Sequence, residues 1–279
     1  MRAGEPISPR LEANQTQLAC ISVIVPLWRD HPALVALLQH LRSLAQIREI
    51  IVPAAEPAAG LRAQVEMSGG VFLRSTEPNR GAQLNQGAQI ARGDWLLFHH
   101  VDTELLAEHV FALAAITRTD AIGGAFYRRF DERHPRLRFL ERVERWHSRV
   151  FGTIYGDQSI FVRRDHFARI GGFAPIPLME DVDLSRKLRQ SGKIKLLDPP
   201  VRSCARKQIE QGAWRVTLRN LLFLTLFRCG VPVRRLHAWY YSLNRQVPPS
   251  RESNRAAAPA LVNAGEDRQR HFQHIKHCD

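Results

Sequence analysis

Residues 92–103 read RGDWLLFHHVDT, an apolar strand that runs into His100-Val101-Asp102. Successive strand side chains alternate between faces, so His100 and Asp102 point the same way. Both can ligate a metal, and they stand outside the carboxyl end of a strand, where open α/β sheets bind ligands. A hard divalent cation held by a carboxylate keeps waters and takes further ligands from substrate phosphates, which is what an enzyme acting on a nucleotide diphosphate needs. The same residues have a plainer and commoner reading, in which Asp102 caps the next helix, expected over residues 104–117.

Around this strand, apolar runs and helical stripes alternate. Residues 20–26 (CISVIVP) read as a buried strand stopped by proline, and 32–44 as a helix with a stripe at Leu34, Leu37, Leu38, Leu41 and Leu44. Strands are expected at 49–52 and 71–74, with helices at 60–67 and 81–91. Beyond Asp102 come a strand at 121–130, a basic helix at 135–150, a loop entering a strand over 154–162, a helix at 179–190 and a short strand at 194–197. Residues 214–241 read as helix interrupted at Gly230-Val231-Pro232. The alternation predicts βαβ units, with a parallel sheet covered by helices on both faces.

A chain of 279 residues, 44% hydrophobic, suits one large α/β domain with elaborations. The expected organisation is a disordered tail at 1–19, a main domain at 20–212, a helical basic and apolar extension at 213–245, and a disordered tail at 246–279. The first twenty residues lack the apolar stretch of a signal peptide, and the longest strongly apolar run, 221–227, is too short to span a bilayer. Cys20, Cys204, Cys229 and Cys278 form no CxxC pair, so no zinc ribbon or disulfide framework is indicated and a reducing cytoplasm is expected.

The net charge is +13, and between positions 186 and 245 fourteen Lys/Arg face only Asp198 and Glu210. Such a surface can meet nucleic acid, anionic lipid or a phosphorylated substrate, or be merely solvated. No DNA- or RNA-binding motif accompanies it, so nucleic acid is the less favoured partner.

Three further constellations carry chemistry. Asn79-Arg80-Gly81 opens a helix just after a strand, where terminal N–H groups favour anions and an arginine can pair a phosphate; the plain alternative is an ordinary loop-to-helix joint. Glu180-Asp181-x-Asp183 sets three carboxylates at a helix start, which the helix dipole favours whatever the function, while a general base is the functional reading. Gly156-Asp157-Gln158 is either a turn or pocket lining.

Taken in order, ISVIVP, NRGAQLNQGA, GDWLLFHHVDT, GGAF, YGDQSIFVRR, IGGF and PLMEDVDLSRKLR resemble family 2 glycosyltransferases with the GT-A fold, closest to the bacterial branch whose metal motif reads His-Ala-Asp-Thr. The resemblance spans about residues 21–240. It implies an α/β, Rossmann-like, mostly parallel sheet with helices on both faces and a helical C-terminal extension. It also implies transfer of a sugar from a nucleotide-diphosphate donor to an acceptor hydroxyl, usually with inversion and with Mg2+ or Mn2+. Carried over position by position, Asp102 matches the metal-binding Asp, with His100 at the first position of that motif. Pro26, Arg80, Gly81 and Asn85 match the donor site, and Asp157 and Gln158 a motif near the donor sugar and acceptor. Asp181 matches the catalytic base, with Glu180 beside it. Arg206 and Arg215 fall in the region where relatives carry Gln-x-x-Arg-Trp, a phosphate- and acceptor-contacting pattern that this chain lacks. A second departure is 52–57 (VPAAEP), where the family has an Asp-rich segment that helps hold the nucleotide base. His100, a borderline ligand, would favour Mn2+ if it touches the metal, and the alternative is that it donates a hydrogen bond to a phosphate without touching the metal.

Competing readings are a GT-A sugar-nucleotide binder with weak or lost catalysis, and a basic nucleic-acid-binding protein. A nucleotidyltransferase is disfavoured, because residues 26–30 (PLWRD) lack the Gly-rich loop expected after its first strand. Residues 217–241, with Arg among apolar runs and terminal aromatics, either pack on the core, the favoured reading, or approach an anionic membrane, which would suit a lipid-linked acceptor. His271, His274, His277 and Cys278 are assigned no role.

Overall fold

The central strands form where the sequence places its apolar runs, and the pleat sorts their side chains into two cores. A computed structural model describes residues 20–28, 31–76 and 79–245, without the side chains of 206–207 and 243–245. The tails expected to be disordered, and with them the His271–Cys278 cluster, lie outside the described residues.

Strand β1 (Ile21–Ile24) is buried throughout, with Ile21 and Val23 in one core and Ile24 in the other. Helix α1 (Leu34–Arg42) lays its leucine stripe on the first side. Strand β2 (Ile47–Ala54), helix α2 (Leu61–Met67) and strand β3 (Val71–Arg74) extend the sheet outward from β1. Helix α3 (Arg80–Ile90) starts at Asn79, whose side chain accepts the Ala82 N–H at 2.9 Å, and it covers the second side through Leu84 and Ala88. Strand β4 (Trp95–Phe98) pairs with β1, sending Trp95 and Leu97 to the first core and Leu96 and Phe98 to the second.

Here the structure corrects the expected helix over 104–117. Thr103–Glu104 form a short strand β5 that pairs antiparallel with Ser203 and Arg202, and helix α4 (Ala107–Ile116) begins only after Leu106. Its first turn is closed by His109, whose Nδ1 accepts the Leu106 N–H at 2.9 Å. Asp102 therefore caps no helix, because edge pairing draws the chain away before helical geometry can start.

Strand β6 (Gly123–Phe130) leads through helix α5 (Pro135–Phe151) and a 3-10 turn at Gly156–Gln158 into strand β7 (Ile160–Arg163). Short helix α6 (Arg164–Arg169), unforeseen from sequence, precedes helix α7 (Glu180–Ser191), which adds Leu184 and Leu188 to the second core. Strand β8 (Ile194–Ser203) is longer than the expected 194–197 because it follows β6 past Pro199-Pro200. Helices α8 (Arg206–Gln211), α9 (Ala213–Arg228) and α10 (Val233–Arg245) end the described chain.

The sheet order is β3-β2-β1-β4-β7-β6-β8-β5, parallel except that β7 opposes both neighbours and β5 opposes β8. The mostly parallel sheet with helices on both faces is thus as expected. The reversal of β7 positions the site: its N-terminal end, with the turn before it, opens at the edge where β1 and β4 end.

Candidate active site

At that edge the pairing of β1 with β2 continues past the strand ends. Val25, Leu27 and Ala55 N–H groups donate to Ile51, Pro53 and Leu27 carbonyls at 2.9, 2.9 and 3.0 Å, which fixes Pro26 at the mouth. Buried Gln83 seals the joint from α3, its Nε2 donating to the Leu27 carbonyl at 2.5 Å and the Pro53 carbonyl at 3.2 Å. Glu56, in the segment that replaces the family's Asp-rich stretch, lies beside Trp28, its N–H donating to the Trp28 carbonyl at 2.8 Å.

His99 organises the turn after β4. Its Nε2–H donates to the Thr103 carbonyl at 2.9 Å, which leaves Nδ1 to accept the Ser159 hydroxyl at 2.8 Å. One imidazole thus staples β4, the turn 100–103 and the start of β7. It does so only when neutral, and burial pushes its pKa down to about 4. Because the unfolded chain takes up this proton near pH 6.5 and the folded chain only near 4, stability should fall as pH falls through that window, by roughly 3 kcal/mol. Denaturant titrations from pH 7.5 to 4.5 test this: the wild-type minus His99→Gln difference should shrink with acidity, and a pH-independent difference would refute it.

Arg80, the first residue of α3, spans the mouth. Its Nη2 donates to His100 Nε2 at 2.5 Å, and its Nη1 lies 3.2 Å from Glu180 Oε1. An arginine can only donate, so His100 Nε2 is the acceptor and the ring proton sits on Nδ1, 3.9 Å from Asp102 Oδ1. Burial first, then the Arg80 charge, keep the His100 pKa well below its ordinary value, so the ring is neutral. The lone pair that His100 would need to ligate a cation through Nε2 is already committed to Arg80.

The Asp102 side chain is 40% exposed. Burial and the nearby Asp157 charge raise its pKa, while a hydrogen bond from its own backbone N–H and the His31 and Arg80 charges draw it back. Among the described residues no group of three or more His, Cys, Asp or Glu side chains gathers. A single open carboxylate fits a hard cation that completes its shell with water and ligand phosphates. Asp102 meets that requirement and His100, in this arrangement, does not.

The turn at 156–158 links the carboxylates. The Gly156 N–H donates to Asp181 Oδ2 at 2.8 Å, and Asp181 Oδ1 accepts the Val182 N–H at 2.8 Å. A side chain at Gly156 would strike the Arg80 guanidinium and displace it from its contacts with His100 and Glu180. Asp157 Oδ2 accepts Arg128 Nη1 at 2.6 Å, and Arg128 Nη2 binds Glu144. Burial works against the Arg128 charge, but Asp157 and Glu144 outweigh it and hold the pKa above its ordinary value. Burial raises the Glu144 pKa against the pull of Arg128. Buried Gln158 spends its amide inside the turn, accepting the Tyr155 N–H at 2.9 Å and donating to Glu144 at 3.2 Å.

Arg128 and Glu144 escape a reading by motif. Their signals are an arginine in an otherwise buried strand and a glutamate on the inward face of α5.

Gly81 and Asn85 serve the 172–179 segment. A Cβ on Gly81 would lie 2.7 Å from the Ala174 carbonyl, and the Asn85 amide bonds Phe173 in both directions, donating to its carbonyl at 2.8 Å and accepting its N–H at 2.9 Å. That segment ends at Met179, in the left-handed region at φ 66°, and delivers Glu180 to Arg80. Glu180 is 6% exposed, its pKa raised by burial against the pull of Arg80. The C-terminal helices flank the site as well: Arg228 Nη2 donates to Thr153 Oγ1 at 3.0 Å, and burial with the Tyr240 and Glu180 charges raises the Tyr241 pKa. Arg206 opens α8, and its side chain lies outside the described residues.

The family model described as Glycosyl transferase family 2 matches residues 22–171. No curated protein matches the chain. Among solved structures it is similar to a mannosyltransferase from Pyrobaculum calidifontis in complex with GDP-Man and Mn2+, at 16% identity and TM-score 0.59 over 81% of this chain and 70% of that one. It is also similar to glucosyl-3-phosphoglycerate synthase from Mycobacterium tuberculosis in complex with Mn2+, UDP and glucosyl-3-phosphoglycerate, at 18% identity and TM-score 0.53 over 77% of this chain and 81% of that one. A third is mannosyl-3-phosphoglycerate synthase from Rubrobacter xylanophilus, at 14% identity and TM-score 0.51 over 76% and 75%.

Proposed function

Because the chain belongs to glycosyl transferase family 2, we propose that it transfers a hexosyl group from a nucleotide-diphosphate sugar to an acceptor hydroxyl, with inversion and with Mn2+ or Mg2+. The observation that carries this reading is the convergence of Asp102, Arg80 and Asp181 on one sheet edge, joined through Gly156 and the Arg80–His100 contact. Structural neighbours bound to GDP-Man or UDP with Mn2+ support the donor class.

In this reading Asp102 holds the cation, which when bound would neutralise charge on the departing diphosphate. Arg80 adds positive charge beside it, oriented by Glu180 and His100. Asp181 has each carboxylate oxygen aimed by one backbone N–H and keeps lone pairs to take the proton of the attacking hydroxyl. Asp157, fixed by Arg128 and Glu144, orients the sugar. Glu180 is a positioning residue for Arg80.

A thermal-shift and calorimetric panel of GDP-, UDP-, ADP-, CDP- and dTDP-sugars, with Mn2+, Mg2+ or chelator, tests the donor assignment. At least one member should bind only when metal is present. A flat panel in both metals would overturn the transferase reading.

A further inference from the structure

Helix α5 is turned inside out. Phe139, Val143, Trp146 and Val150 recur at helical spacing on one face, and that face is open to solvent, Trp146 being 60% and Val150 57% exposed. The inward face carries Leu137, Leu140 and Ser148 together with both of the helix's glutamates. Glu141 accepts the Phe130 N–H at 2.7 Å and Arg138 at 2.8 Å, and Glu144 holds Arg128, so neither carboxylate is turned to the outer face.

Helix α9 repeats the pattern. It buries Val216, Phe223 and Leu224 and leaves Trp214, Leu218, Leu221 and Leu222 exposed. The two stripes meet at Phe139 and Trp214, whose ring centroids lie 5.6 Å apart. Of the two sequence readings of this region, packing on the core describes one face of α9 and leaves the other unpartnered.

The charge around this surface is predominantly positive, with Asp198 at its edge paired to Arg145. Residues 213–245 contain no Asp or Glu. Arg142 and Arg149 beside the α5 stripe, and Arg215 beside the α9 stripe, have no carboxylate partner among the described residues. A continuous apolar patch of this extent is uncommon on a free monomer. A second copy seated two-fold on it would set arginine rims against each other. An anionic lipid surface accepts both the aromatics and the arginines, and no helix among the described residues is long and apolar enough to cross a membrane.

We propose that the joined outer faces of α5 and α9 dock the protein on the surface of an anionic bilayer, with the aromatic and aliphatic side chains in the interfacial layer and the arginines on lipid phosphates. Docking sets the site beside the membrane, because Glu144 on the inner face of α5 bonds Arg128 and Gln158 next to Asp157. Resting on the transferase reading above, the acceptor hydroxyl is then one carried by a membrane lipid.

Vesicle flotation of the full chain tests the docking without requiring turnover. The wild type should float with phosphatidylcholine–phosphatidylglycerol vesicles and not with phosphatidylcholine alone, and added salt should weaken the binding. Trp146→Glu combined with Val150→Glu should reduce flotation at least about tenfold while circular dichroism and metal-dependent nucleotide binding stay unchanged. Failure of the wild type to float, flotation of the variant like the wild type, or a wild-type dimer that the substitutions dissociate without any flotation would each overturn the proposal. Flotation without nucleotide binding would retain the docking surface and refute the transferase reading; nucleotide binding without flotation would do the reverse.

Discussion

Asp181→Asn is expected to lower turnover by roughly two to four orders of magnitude, the usual contribution of a positioned general base, while metal-dependent binding of the donor nucleotide persists. The expectation rests on the geometry of the carboxylate. Gly156 and Val182 each donate a backbone N–H to one of its oxygens at 2.8 Å, which aims the group and leaves a lone pair on each oxygen. Asparagine keeps the shape but has one oxygen, so one of the two N–H groups loses its acceptor, at a cost of about 1–3 kcal/mol. That cost bears on stability and would appear as a lowered melting temperature, whereas loss of the base appears in kcat with the nucleotide Kd held. Single-turnover measurements on protein that retains its melting transition separate the two effects. Near-normal turnover in Asp181→Asn would remove the base assignment.

Asp102→Asn is expected to weaken Mn2+-dependent nucleotide binding by at least about 100-fold, more than the loss of a residue that only orients a metal ligand. Asparagine keeps a carbonyl oxygen but not the charge, and the described residues gather no set of three candidate ligands to compensate. His100→Gln provides the contrast. Because His100 Nε2 accepts from Arg80, its loss should act through the arginine and cost about tenfold, within the range seen for supporting residues. Mn2+ binding followed by electron paramagnetic resonance, with and without nucleotide, reads both variants without turnover. Equal losses in the two would place His100 on the metal and overturn the geometric argument.

How much of this was legible beforehand depends on how local the signal is. The apolar strand before His100, the leucine stripe of α1 and the Asn79 cap rest on apolar pattern, helical period and a neighbouring N–H, all properties of a short segment; His100 and Asp102 themselves lie in the turn after β4 (Trp95–Phe98), so the pleat does not place them. The role of Asp102 was not legible in the same way. Its spacing before an apolar stretch equally suits a helix cap, and only the pairing of Thr103–Glu104 with β8, about a hundred positions away, removes that option. Gly81 and Asn85 fall in a stretch that reads as donor-binding, yet the side chain of Asn85 and the close approach at Gly81 are both spent on the 172–179 segment. Arg128 and Glu144 belong to no motif, because an ion pair between a strand and a following helix has no fixed sequence separation.

The sequence by itself determined the alternation of strands and helices, the excess of basic residues and the order of the short motifs that resemble one family, since each is written in contiguous residues. The tertiary structure decided who partners whom: that β7 runs backward and brings the 156–158 turn to the site, that His100 gives its lone pair to Arg80, and that α5 turns its apolar stripe outward. Helical period fixes which side chains share a face. Which face is buried depends on what the remainder of the chain packs against it, here Arg128 of β6, whose charge draws the polar side of α5 inward.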